Sequence, residues 1–102
     1  MPVITIPLRF QYLDGIWVAQ IATSFGPMEI IVGGKKDEPD AADLEAVEQF
    51  LHDATATLRR VRSQLPWGFL YRPIRIALNS EHRVGIQFRH RFTGSQAKLI
   101  FA

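Results

Sequence analysis

Cysteine is absent from this 102-residue chain, which excludes disulfides, zinc–thiolate sites and thiol nucleophiles. Long apolar runs are also absent, and none approaches the roughly 18 residues that a membrane span requires. The first residues lack the pattern of a secretory signal peptide, so we expect a cytoplasmic protein with no membrane partner. Internal repeats and low-complexity tracts are missing as well. The sequence predicts a single domain over residues 1–102.

The composition is that of a globular domain. Hydrophobic residues make up 47% of the chain and charged residues 22%, which is too apolar for a disordered segment. The net charge of +2 conceals an asymmetry. Residues 1–50 carry eight acidic and three basic groups, whereas residues 51–102 carry nine basic and two acidic groups. Such a distribution either steers a charged partner or solvates two different surfaces.

The N-terminal third has the period-two alternation of β-strands. Apolar residues at every second position predict a first strand within residues 4–12. Asp14-Gly15 follows directly, and this dipeptide between two apolar runs is a strong hairpin signal. Residues 16–23 then form the return strand, and a turn at residues 24–27 leads to a third strand at residues 28–32. Its even-numbered positions are expected to face the core.

A helix is the clearest element of the sequence. Apolar residues spaced alternately by three and four positions define one helical face: Leu44, Val47, Leu51, Ala54, Leu58, Val61 and Leu65. Asp40 is a good N-cap, acidic residues crowd the first turns and arginines the last, as the helix dipole favours. Pro66 ends the helix. We expect Leu51 and Leu58, in the middle of the face, to be buried.

Three further strands are predicted after an aromatic connector at residues 67–72. In the first, Ile74, Ile76 and Leu78 face inward and Arg75 outward. The next strand alternates the same way, with inward positions at Val84, Ile86, Phe88, His90 and Phe92. A turn at residues 93–96 leads to a last strand at residues 97–102. The sequence therefore predicts an α+β fold, β-β-β-α-β-β-β, with an antiparallel sheet of about six strands and one long amphipathic helix on one face.

Catalytic and metal-binding patterns are weak. The histidines His52, His82 and His90 lack metal-ligand spacing, so no metal and no cofactor is expected. The serines lack a nucleophile elbow, and Gly33-Gly34 followed by two lysines does not match a phosphate-binding loop. We expect no enzymatic activity. One set of residues nevertheless offers the acid, base and phosphate-binding groups of a metal-independent ribonuclease: Glu81, His82, Arg83, Arg89, His90 and Arg91.

Nucleic-acid binding is a second alternative. The predicted C-terminal hairpin places arginines and Gln87 on one strand face: Arg75, Arg83, Arg89 and Arg91. A single-strand binder also needs aromatic rings on that exposed surface, whereas Phe88 and Phe92 are predicted to be in the core. We therefore expect nucleic-acid binding to be at most weak and non-specific.

A protein-binding function would explain features that the ribonuclease and nucleic-acid interpretations leave unexplained. The last strand, residues 99–102, is apolar and carries only Lys98 as an edge charge, so a homodimer contact through this edge is an alternative. Trp67, Phe69 and Tyr71 lie in the connector, where exposed rings often anchor an interface. The acidic stretch from Asp37 to Glu48 offers a surface for a basic partner.

One segment resembles a known family. Ile30-Ile31-Val32-Gly33-Gly34, a short charged loop, Pro39-Asp40 and the long helix resemble small bacterial immunity proteins. These are cytosolic partners of polymorphic toxins, including those of contact-dependent growth inhibition. The resemblance covers about residues 25–65. It implies a non-enzymatic protein that binds and neutralises one cognate toxin domain, often a nuclease. The basic C-terminal half differs from the many immunity proteins that are strongly acidic.

The expected contact surface is the charged strand-to-helix loop together with an exposed part of the sheet or its edge, with Trp67 or Tyr71 as the anchor and the basic sheet face as the alternative location. Charges at the rim of an interface set association rate and specificity, and a buried aromatic supplies most of the affinity. The residues expected to bind the partner are Lys35, Lys36, Asp37, Glu38, Asp40, Trp67, Tyr71, Arg83, Arg89 and Arg91.

Overall fold

The computed structural model describes residues 9–95 and 100–101 and has an α+β fold. The strands are β1 Gln11–Leu13, β2 Ile16–Thr23, β3 Gly26–Val32, β4 Tyr71–Leu78, β5 Val84–His90 and β6 Ile100–Phe101. The helices are α1 Ala41–His52 and α2 Ala54–Ser63, and a short 3₁₀ turn, Gly68–Leu70, precedes β4. The strands lie in the order β1-β2-β3-β4-β5-β6. The two helices pack against β4 and β5, so among the described residues no helix covers the opposite face of the sheet, which we call the open face.

The N-terminal hairpin forms where the sequence predicts it. Asp14 and Gly15 both have positive φ, 47° and 89°, and Leu13 pairs with Ile16. These angles suit a two-residue turn whose twist matches that of the flanking strands. β2 has the predicted bounds. Residues 4–8 of the predicted first strand lie outside the described residues.

The sheet is mixed, and the prediction of an antiparallel sheet was wrong at its centre. β3 and β4 run parallel, with Glu29 opposite Arg75 and Ile31 opposite Ala77. The helical segment between them returns the chain to the end of the sheet where β3 began, so β4 starts in the same direction as β3. The other strand pairs are antiparallel.

The predicted single helix is two helices. Asp40 caps α1 as expected, because its side chain accepts a hydrogen bond from the backbone N–H of Asp43. At Asp53 the backbone leaves the helical region, with φ −138° and ψ 36°, and α2 begins at the next residue. Aspartate and the two threonines that follow, Thr55 and Thr57, have low helix propensity, so the helix is weakest at this point.

The core lies between the helices and the covered face of the sheet. Leu58 and Val61 of α2 are almost fully buried, as are Met28, Ile30 and Val32 of β3, which confirms both predicted faces. In α1 the buried apolar side chains are Val47, which lies on the predicted face, and Phe50, and the neighbouring Leu51 is only half-buried. The prediction that Leu58 is buried is confirmed, whereas Leu51 packs at the margin of the core.

A β-bulge in β4 changes the predicted orientation of one residue. Pro73 pairs with Phe88 and Arg75 with Gln87, so Ile74 is an extra residue between them. Pro73 and Ile76 face the core, and Ile74 lines a depression with arginines of the open face. The predicted inward position of Ile74 was therefore wrong. Proline tolerates this position because a bulge interrupts the hydrogen-bond ladder.

Leu58→Ala should reduce the free energy of unfolding by about 2–5 kcal/mol, because it leaves a cavity in a closely packed site. Leu51→Ala is the matched control, since the same atoms are removed from a half-buried position and less packing is lost. Urea denaturation followed by circular dichroism measures both losses. A loss below about 0.5 kcal/mol for Leu58→Ala would contradict the assigned helix face.

Candidate functional site

The parallel pairing of β3 and β4 divides the predicted contact residues between two ends of the sheet. The charged loop, residues 33–40, follows β3, and the turn at residues 79–83 follows β4, so both lie at one end. The connector at residues 64–70 precedes β4, and residues 91–95 follow β5, so these lie at the opposite end. Arg83 is at the first end, Trp67, Tyr71 and Arg91 are at the second, and Arg89 lies on the open face.

The backbone of the charged loop is held by hydrogen bonds, although Gly33 and Gly34 predict a flexible segment. The backbone groups of Lys35 and Glu38 bond to each other in both directions, at 2.9 and 3.2 Å, and the Asp40 N–H donates to the Gly33 carbonyl at 2.8 Å. The indole N–H of Trp17 donates to the carbonyl of Lys35 at 2.8 Å. The loop is therefore a closed turn that displays its charged side chains from a fixed backbone.

Asp43 joins three segments at this end. Its Oδ1 lies 2.6 Å from Nδ1 of His82, and its Oδ2 accepts a hydrogen bond from the backbone N–H of Gly33 at 2.9 Å. Its own N–H donates to Oδ1 of Asp40 at 3.0 Å. Sequence spacing did not reveal the pair of Asp43 and His82, which lie 39 positions apart. We call Asp40, Asp43 and His82 the carboxylate–histidine link.

His82 is held toward Asp43 by the turn that carries it. The side-chain oxygen of Asn79 accepts hydrogen bonds from the N–H groups of Glu81 and Arg83, each at 2.9 Å. His82 itself has φ 59°, a left-handed conformation that is uncommon outside glycine. The hydrogen bond to Asp43, helped by the negative charges of Asp43 and Asp40, raises the pKa of His82 against the opposing effect of desolvation.

The carboxylate–histidine link also brings together three groups that bind metals. Asp40, Asp43 and His82 each offer one ligand atom, and these atoms lie within 4.8 Å of one another. The same atoms are engaged in hydrogen bonds: Oδ1 of Asp43 contacts His82, and Oδ1 of Asp40 caps α1. These hydrogen bonds link α1 to the β4–β5 turn. They explain why the three side chains lie close together, and no metal is needed for that explanation.

The ribonuclease-like set predicted from the sequence does not come together. His82 precedes β5 and His90 ends it, so the two histidines lie at opposite ends of the strand. Nδ1 of His90 accepts hydrogen bonds from the N–H groups of Phe92 and Thr93, at 3.2 and 3.1 Å. The two histidines therefore cannot form one acid–base pair.

The opposite end of the sheet displays aromatic side chains. Trp67 is 71% exposed, Phe69 63% and Phe92 80%. The rings of Trp67 and Phe69 are 6.0 Å apart, and the ring of His90 lies between those of Tyr71, at 5.2 Å, and Phe92, at 6.1 Å. We call these five residues the aromatic end. Its two groups of rings are joined through the backbone, because the N–H of Arg91 donates to the carbonyl of Leu70 at 2.7 Å.

Two local features place these rings in solvent. The prediction that Phe92 is in the core was wrong, because β5 ends at His90 and the bonds that His90 accepts turn the chain out of the sheet. Trp67 has φ 58° and ψ 42°, a left-handed conformation that is rare for a bulky residue. Tyr71 is half-buried and packs on the core, so it offers less exposed surface than Trp67.

Comparisons with known proteins found no match. No family model matches the chain, and no curated protein and no solved structure is significantly similar to it. No helix in the part of the chain that the structure describes is long and apolar enough to cross a membrane.

The carboxylate–histidine link should make stability depend on pH. The native pKa of His82 is raised above its ordinary value of 6.5, so protonated His82 stabilises the fold below that value. This contribution is lost as the pH rises through the native pKa. Melting temperatures measured from pH 5.5 to 8.5 should decline more steeply for the wild type than for His82→Asn, since asparagine tolerates the same φ.

Two controls make the pH experiment specific. Asp43→Asn should flatten the pH profile in the same way, because it removes the charge that stabilises the imidazolium. His52→Asn, at an exposed helical position, should leave the slope unchanged. A wild-type slope that persists in His82→Asn would contradict the assignment.

Proposed function

We propose that this is a non-enzymatic binding protein of the immunity type, whose partner is a cognate toxin domain and whose contact surface is the aromatic end. The observation that carries the proposal is the exposure of Trp67, Phe69 and Phe92, each at 63% or more. Exposed aromatic residues on connectors are typical anchors of protein interfaces. The resemblance of residues 25–65 to immunity proteins supports the choice of partner.

The three exposed rings leave a large apolar surface in contact with water. Side chains of this kind bury about 150–250 Å² each, so three rings exposed to this degree offer on the order of 400 Å². At roughly 25 cal/mol per Å² their burial yields about 10 kcal/mol before the entropy costs of association. Apolar patches of this size on a monomer are often functional.

Backbone strain at Trp67 supports the same surface. A left-handed conformation costs a non-glycine residue about 1–3 kcal/mol, and such strain concentrates at functional sites. Trp67 is 71% exposed, so burial of its own ring in the core does not offset the cost. The neighbouring Gly68 fixes the arrangement, because a Cβ there would lie 2.2 Å from the carbonyl oxygen of Arg62.

The charged loop is a separate surface in this proposal. Lys35, Lys36, Asp37 and Glu38 are exposed, but they lie at the far end of β3 from Trp67. Arg91 follows β5 at the aromatic end and is exposed, and it supplies a rim charge that steers association.

Nucleic-acid binding is the second candidate, and one observation favours it. Phe92 is exposed beside the exposed Arg91, so a ring and a cation share a surface, which is the combination that single-strand binders use. A Phe92 buried in the core, as the sequence predicts, would be unable to stack on a base. Its observed exposure removes that objection.

Co-expression with the toxin encoded beside this gene tests the first candidate. The double variant Phe69→Ser/Phe92→Ser should fold normally, because both rings are exposed, and should weaken toxin binding at least about 30-fold, the equivalent of roughly 2 kcal/mol. Leu13→Ser is the matched control, since Leu13 is an exposed apolar residue, 54% accessible, on the distant strand β1.

A second pair of variants tests the alternative surface. Asp37→Asn/Glu38→Gln neutralises the charged loop without removing the Asp40 cap, and we expect it to retain protection. Protection lost in this pair but kept in Phe69→Ser/Phe92→Ser would move the interface to the charged loop. Failure of the wild type to protect against any adjacent gene product would contradict the immunity assignment.

Salt titration of single-stranded RNA and DNA binding tests the second candidate. Affinity from phosphate contacts falls steeply with salt, and on single strands each neutralised contact lowers the logarithmic slope by about 0.7. We expect weak binding that Arg89→Gln and Arg91→Gln change little. Sub-micromolar affinity at about 0.15 M salt, lost in Arg91→Gln and in Phe92→Ser, would assign the surface to nucleic acid instead.

A further inference from the structure

The open face of the sheet carries a hydrogen-bonded row around Arg75. Its Nε donates to Oε1 of Glu29 at 2.8 Å, and its Nη1 donates to Oε1 of Gln87 at 2.8 Å. The amide of Gln20 reaches the other oxygen of Glu29 at 3.5 Å. The positive charge of Arg75 is therefore matched within the sheet by a carboxylate.

Two neighbouring arginines lack such a match. Arg72 and Arg89 stand directly opposite each other in the β4–β5 register, and like charges in this arrangement destabilise a sheet. Among the described residues, no carboxylate forms an ion pair with either side chain. Nε of Arg89 is buried without a hydrogen-bond partner, and an unsatisfied buried donor is costly.

The bulge in β4 brings Arg72, Arg75 and Arg89 to one face of the sheet. In a regular strand, residues three apart point to opposite faces, so Arg72 and Arg75 would be separated by the sheet. The extra residue Ile74 shifts the register between Pro73 and Arg75, and both arginines then line the same depression as Arg89. Bulges that redirect a side chain are frequent beside functional sites.

The depression has the charge and size for a small anion. Its volume is about 220 Å³, and its walls include the three arginines, Glu29, and the apolar residues Pro27 and Ile74. The formal charge of these ionisable groups is +2. Gly26 adjoins the site, since a Cβ there would lie in van der Waals contact with Nη1 of Arg72, at 3.4 Å.

We propose that this depression binds a phosphoryl group, as inorganic phosphate or a phosphate monoester, between the guanidinium groups of Arg72 and Arg89. Two planar guanidinium forks match the oxygens of a phosphate dianion. The bound anion separates the two like charges, and reorientation of the Arg89 side chain on binding brings its Nε–H to the anion. Arg75, already held by Glu29 and Gln87, forms the wall of the site and does not act as a primary ligand.

NMR titration of the arginine Nε–Hε signals with sodium phosphate, at constant ionic strength in chloride, tests the site. The Arg89 signal should shift and saturate in the wild type. Arg72→Gln and Arg89→Gln should each weaken phosphate binding at least tenfold, and amide spectra report whether these variants are folded. Arg60→Gln, at an exposed position of α2, is the matched control and should bind within twofold of the wild type.

Titrations with acetate and with phenyl phosphate show which class of anion the site prefers. Acetate at the same ionic strength should bind at least tenfold more weakly than phosphate, and phenyl phosphate binding more tightly than phosphate would assign the site to organic monoesters. Equal affinity of phosphate and phenyl phosphate would assign it to the inorganic ion. Acetate binding as tight as phosphate, or a phosphate affinity unchanged in both Arg72→Gln and Arg89→Gln, would overturn the proposal.

Discussion

The parallel pairing of β3 with β4 is the constraint on which the other features depend. To enter β4 in the direction of β3, the chain must travel back along the sheet, and α1 and α2 provide that return. Their apolar faces cover one side of the sheet, so the other side stays in solvent. The same pairing places the connection from β3 to α1 and the β4–β5 turn at one end and the aromatic connector at the other, which separates a polar end from the aromatic end.

The polar end is stabilised by groups that each serve more than one segment. Asp43 belongs to the first turn of α1, where a negative charge is favourable, and its two oxygens also reach the end of β3 and the turn after β4. Removing its side chain therefore releases the strand end and the turn together and takes a favourable charge from the first turn of α1, whose cap by Asp40 remains. The apolar end has backbone links of its own, such as that between Arg91 and Leu70, but its largest rings contribute little to the core.

Local patterns predicted most of the elements and few of the contacts between them. Asp14-Gly15 specifies its turn through residues adjacent in sequence, and the face of β3 follows from simple alternation. The bulge at Ile74 was not predictable, because an isoleucine two positions before Ile76 fits a regular strand. The contact of Asp43 with His82 depends on the crossover. The exposure of Phe92 depends on His90, which accepts backbone hydrogen bonds where the strand ends.

The packing of Gly68 against the carbonyl of Arg62 has a consequence for how this domain tolerates sequence change. Position 68 is closed to any side chain, since even a methyl group would displace the connector from α2. The adjoining positions 67 and 69, by contrast, project rings that the core does not need. A position that the fold requires and two positions with exposed rings thus alternate within one short segment. The exposed rings can be exchanged while the glycine between them keeps the connector in place.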